Sequence, residues 1–95
     1  MDEAKRELLE ETGVTATEWI DLGLFHLSNS VTDEAGRIYL ARGLTFGAAN
    51  PDGDEVIETK RLPLAEAYDM CMDGRITDAV TIIGITRALD YIGRE

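Results

Sequence analysis

Residues 5–13 read Lys5-Arg6-Glu7-Leu8-Leu9-Glu10-Glu11-Thr12-Gly13, and the reading of this stretch decides the fold. Ala, Leu, Glu, Lys and Arg dominate from Asp2 to Thr12, all good helix formers. Asp2 is placed to cap a helix start, and Gly13 stands where helices commonly stop. On that helix Glu7, Glu10 and Glu11 fall at i, i+3 and i+4 and share one face, with Glu3 extending the row. Like charges on one face repel, and Glu10 and Glu11 sit in the last turn, where the helix dipole disfavours anions. Each of these penalties is only a few tenths of a kcal/mol when exposed. Together they break a local rule without a structural return, a pattern found at functional sites. An all-oxygen ligand set suits Mg²⁺, Mn²⁺ or Ca²⁺ rather than Zn²⁺. The plain alternative is a solvated acidic face whose repulsion Lys5 and Arg6 relieve.

Outward from this helix the pattern becomes strand-like over Glu18 to Leu27 and again over Arg37 to Phe46. Ile38, Leu40, Leu44 and Phe46 recur at a spacing of two, with Arg42 as the exception. The polar stretch Ser28 to Gly36 reads as the loop between them. A third strand is expected over Val56 to Leu62, after the turn-rich run Ala49-Asn50-Pro51-Asp52-Gly53-Asp54. Leu64 to Met72 reads as a short helix entered after Pro63. Thr77 or Asp78 is placed to cap a last helix reaching about Ile92. The apolar surface of that helix (Val80, Ile82, Ile83, Ile85, Ala88, Leu89, Ile92) is wide for so short a chain and predicts a second contact surface, such as a dimer partner.

The bulk properties narrow the class. The chain has 95 residues, 44% of them hydrophobic and 29% charged, which fits a single globular α+β domain over 1–95. No apolar run is long enough for a membrane span, and the first residues do not resemble a signal peptide. Cys71 is the single cysteine, so a reducing, cytoplasmic setting is expected. Nine basic against nineteen acidic side chains give a net charge of −10, which argues against nucleic acid and anionic membranes as partners.

The order Arg6-Glu7-Leu8-x-Glu10-Glu11-x-Gly13 resembles the second half of the Nudix box, G-x5-E-x7-R-E-U-x-E-E-x-G-x-U, with U a bulky apolar residue. The last U falls on Thr15, a departure. The segments Ser28-Asn29-Ser30-Val31-Thr32-Asp33-Glu34, Tyr39-Leu40-Ala41-Arg42-Gly43-Leu44, Asp54-Glu55-Val56-Ile57-Glu58, Leu62-Pro63-Leu64-x-Glu66-Ala67 and Gly74-Arg75-Ile76-Thr77-Asp78-Ala79 are similar to the ADP-ribose pyrophosphatase branch of that family. The resemblance implies a partial α/β/α sandwich: a helix, about three strands and two C-terminal helices. The opening Gly and Glu of the box, and the strands that precede it in the family, would fall before Met1, so the fold is expected to be truncated at its front.

The same resemblance implies site residues. Glu7, Glu10 and Glu11 would hold Mg²⁺ or Mn²⁺, with Glu7 also counted as catalytic, and Arg6 would orient them through charge-assisted hydrogen bonds. Ser28 and Glu34 become substrate-binding candidates in a loop that contacts a ribose; the bland reading is an ordinary solvated loop. The water-activating carboxylate would come from Asp52, Asp54 or Glu55, with Glu55 favoured over its neighbours. The substrate would be a nucleoside diphosphate derivative, with ADP-ribose or a nucleotide sugar leading. The alternative function is a catalytically impaired remnant that folds as a homodimer. His26, Cys71, Trp19 and Tyr39 read as structural, since His26 has no ligand partner near in sequence and the others suit core or interface packing.

Overall fold

Gly13 ends the first helix by adopting a left-handed conformation (φ 74°), and its N–H donates to the Leu9 carbonyl at 2.8 Å. In the computed structural model, which describes residues 1–28, 33–47 and 61–95, that helix is α1, Asp2–Thr12. The Thr12 hydroxyl donates to the Leu8 carbonyl at 2.6 Å and accepts from the Val14 N–H at 3.3 Å, carrying the chain from helix into strand. Strand β1 spans Val14–Ser28 and β2 spans Asp33–Phe46. They pair as a two-stranded sheet. The pairing is antiparallel, because partners fall in number on β2 as they rise on β1. The Gly47 N–H donates to the Gly13 carbonyl (2.8 Å), Arg42 bonds Glu18 at 3.0 and 3.2 Å, and Arg37 bonds Asp21 at 2.7 Å.

The strand bounds correct the sequence reading. β1 starts four residues before Glu18, because Val14 to Thr17 already face partners at the end of β2. Residues 33–36, expected in a loop, belong to β2. Polarity marked them as loop, but a paired strand satisfies its backbone whatever its side chains. The spacing of two puts Leu44 and Phe46 on one apolar face with Ile38 and Leu40. Ile38 and Leu40 are half-buried, whereas Leu44 and Phe46 are 45% and 49% exposed. The Arg61 guanidinium lies 4.1 Å from the Phe46 ring centroid. Of the expected third strand, residues 56–60 lie outside the described residues, and Arg61 and Leu62 are in neither helix nor strand.

Helix α2 (Leu64–Met72) follows Pro63, and α3 (Ala79–Gly93) follows Asp78. Asp78 rather than Thr77 makes the cap: its carboxylate accepts from the Thr81 N–H at 2.9 Å and from the Thr81 hydroxyl at 2.7 Å. These two bonds, the hydroxyl first, hold the Asp78 carboxyl below its ordinary pKa. A group whose folded pKa is depressed stabilises above its unfolded pKa and loses that contribution as pH falls through the folded value. Thermal unfolding of Asp78→Ala is therefore expected below that of the parent at neutral pH. The gap should narrow as pH drops below the ordinary aspartate range, followed by circular dichroism.

The chain divides into two compact units, Met1–Trp19 with Ala41–Arg61, and Ile20–Leu40 with Leu62–Glu95. In the second unit α2 packs on α3, and the buried positions there are the small residues Ala67, Cys71 and Ala88, which permit close helix approach. In the first unit Val14 is the buried side chain, and α1 buries none. No large side chain among the described residues is fully enclosed. No helix among them is long and apolar enough to cross a membrane.

Candidate functional site

The acidic face of α1 is open to solvent. Glu7 and Glu11 are exposed, Glu10 is half-buried, and Glu7 and Glu11 make no hydrogen bond or ion pair with the described residues. Arg6 approaches both carboxylate oxygens of Glu10 at 3.5 Å, one helical turn away, with both side chains substantially exposed. At that length and exposure the pair is worth only a few tenths of a kcal/mol, so it steers Glu10 weakly.

These carboxylates test whether a divalent cation fits. Their donor chemistry suits a hard cation. Among the described residues, however, no three His, Cys, Asp or Glu side chains are gathered into a group that could hold a metal ion. The helix alone therefore offers one or two ligands rather than a closed cage. Mg²⁺ is commonly held in that way, by one or two carboxylates together with water and substrate phosphate oxygens.

The remaining expected site residues fall in other parts of the chain. Arg6, Glu7, Glu10 and Glu11 belong to the first unit. Ser28 ends β1 and Glu34 is the second residue of β2, both in the second unit and both in strand rather than in the loop expected over Ser28 to Gly36. Asp52, Asp54 and Glu55 lie outside the described residues. His26 is exposed on β1, Trp19 and Tyr39 are half-buried on the strands, and Cys71 is buried in α2.

Two features were not legible in the sequence. The Lys5 ammonium lies 6.0 Å from the Trp19 ring centroid, beside a groove of about 320 Å³ lined also by Arg6, Leu9, Thr15 and Ala16. In the second unit Arg87 of α3 donates through Nη1 to the Leu22 and Leu24 carbonyls of β1, at 3.3 and 2.7 Å. Those carbonyls flank Gly23, whose φ of 100° lies in the left-handed region and whose N–H donates to the Asp21 carboxylate at 2.8 Å. A lone arginine in a helix gives no sequence signal for a bond to carbonyls more than sixty residues away.

No family model matches the chain. It is 37% identical over 84 residues to a methanol dehydrogenase activator of Bacillus methanolicus, covering 86% of this chain and 45% of that protein. It is 34% identical over 84 residues to an ADP-ribose pyrophosphatase of Mycobacterium tuberculosis, covering 86% of this chain and 41% of that protein. An ADP-ribose pyrophosphatase of Bacillus subtilis is 32% identical over 84 residues, with 86% and 45% covered. The chain thus spans less than half the length of each of these curated relatives. The two pyrophosphatases support a Nudix-related relationship for the chain, and the mixed helix and strand content of the fold is compatible with it.

Proposed function

We propose that this chain carries the acidic-helix part of a Nudix-type hydrolase acting on nucleoside diphosphate derivatives, with ADP-ribose as the leading substrate. The observation that carries this reading is a solvent-open helix face bearing Glu7, Glu10 and Glu11 in the order Arg-Glu-Leu-x-Glu-Glu-x-Gly. Similarity to two ADP-ribose pyrophosphatases supports it.

In this reading Glu7, Glu10 and Glu11 are the carboxylates that would hold Mg²⁺ or Mn²⁺, one or two of them to an ion. The cation supplies charge neutralisation for the diphosphate and a lowered pKa for bound water. At the acidic face of α1, in a chain of net charge −10, such a bridge offsets the repulsion of an anionic substrate. Arg6 steadies Glu10, Ser28 and Glu34 hydrogen-bond the ribose, and Glu55 accepts a proton from the attacking water. The water oxygen bonds to one phosphorus, the bridging P–O bond breaks, and two phosphomonoesters leave. The test is release of AMP and ribose 5-phosphate from ADP-ribose with Mg²⁺ or Mn²⁺. No product from folded protein would overturn the reading.

A second reading, a homodimer without turnover, is favoured by one observation. Leu24, Leu44, Phe46 and Met72 are 45–57% exposed, a large apolar load for so small a chain. Sedimentation is expected to give twice the 10.5 kDa chain mass on this reading. A monomer at every concentration would exclude it.

A further inference from the structure

Among the described residues of this acidic chain the basic side chains are almost all matched. Arg6, Arg37, Arg42, Arg75 and Arg94 each pair with a carboxylate, and Lys5 and Arg61 lie over aromatic rings. Arg87 differs. Its Nη1 donates to two neutral carbonyls, and no carboxylate among the described residues pairs with it. The N–H groups on Nε and Nη2 make no hydrogen bond to described residues. The guanidinium is half-buried and anchored at one corner, so its orientation is set before any ligand arrives.

Arg87 lines a groove of about 410 Å³ with Leu22, Thr86, Asp90, Tyr91 and Arg94. Arg94, the C-cap residue of α3, follows Arg87 by seven positions and lines the same groove. Asp90, between them, bonds Arg94 at 3.0 Å, which leaves the groove with one net positive charge. Tyr91, one turn after Arg87, adds an aromatic wall. A planar fork with unmatched donors is suited to two oxygens of one phosphate group.

The geometry points to an oxyanion site in this groove, taking the phosphate group of a small molecule on Arg87 with Arg94 as the outer cation. The site does not depend on the hydrolase reading, since it uses none of the acidic residues of α1. The full chain, labelled with ¹⁵N, is titrated with sodium phosphate and, in parallel, with sodium chloride at matched ionic strength. Saturable shifts of the Arg87 Nε–H and of the Thr86 and Tyr91 amides are expected with phosphate alone, in the millimolar range. Arg94→Gln, on an exposed side chain, is expected to raise the midpoint about 3–10-fold without loss of fold. Arg87→Lys keeps the charge and removes the fork, and where it folds it should raise the midpoint further. Titration with AMP separates the sources: a lower midpoint than phosphate assigns the site to a phosphate ester, an equal or higher one to free phosphate. Shifts that never saturate, that chloride reproduces, or that Arg94→Gln leaves unchanged would overturn the site.

Discussion

Replacing Glu10 and Glu11 together by glutamine is expected to lower ADP-ribose hydrolysis about 10²–10³-fold, with both Mg²⁺ and Mn²⁺. Cation stabilisation of a developing phosphoryl charge is worth several kcal/mol, and each 1.36 kcal/mol is tenfold in rate. The substitution keeps side-chain size and removes only charge. Its effect on stability should be close to nil. The exposed Arg6–Glu10 pair at 3.5 Å contributes a few tenths of a kcal/mol. Relief of like-charge repulsion and of two anions in the last turn of α1 returns a similar amount. Unchanged unfolding with a large loss of turnover therefore separates chemistry from folding. An unchanged rate in the double variant would sink the assignment of these carboxylates. Equal and absent activity in parent and variant would leave the dimeric reading.

The helices were legible because most of their limits are written locally; the expected Asp2 cap is the exception, since Asp2 is the first helical residue and Met1 is the N-cap, with no side-chain cap bond. Gly13 stops α1, Pro63 precedes α2 and Asp78 caps α3, and each signal acts within one turn of the residue that carries it. The strands were less legible because their limits depend on a partner. Val14 to Thr17 are strand by virtue of Arg42, Gly43 and Gly47 across the sheet, which no reading of residues 14–17 alone supplies. The acidic pattern of the candidate site was fully readable as an order of residues. The division of the chain was not: Ser28 and Glu34 belong to one compact unit and Glu7, Glu10 and Glu11 to the other, because the units are defined by contacts between distant residues. Arg87 was invisible for the same reason as the strand ends, because its partners are main-chain atoms that every sequence possesses.

The largest stability effect is expected at Gly43. Its φ of 69° lies in the left-handed region, and a Cβ there would overlap the Thr17 Oγ1 on the neighbouring strand. Left-handed backbone costs a non-glycine residue roughly 1–2 kcal/mol, and forcing an atom into occupied space costs about 1–3 kcal/mol. Gly43→Ala should therefore destabilise by about 2–5 kcal/mol. A chain of this length has roughly 5–14 kcal/mol in total, and its core of small buried residues places it toward the lower end. The midpoint of thermal unfolding should fall by roughly 8–40 °C at 4–8 °C per kcal/mol. Gly74 supplies the control. Its φ of 87° is equally left-handed, but a Cβ there meets nothing within 4 Å. Gly74→Ala carries the backbone term alone, offset by about 0.4–1 kcal/mol of lost freedom in the unfolded chain. The excess of Gly43→Ala over Gly74→Ala then measures the contact between β1 and β2. Thr17→Ala in the Gly43→Ala background should recover part of it, since that change removes the hydroxyl in the way. Equal destabilisation at the two glycines would mean that the strands are not packed as closely at Thr17 as the pairing of Gly13 with Gly47 requires.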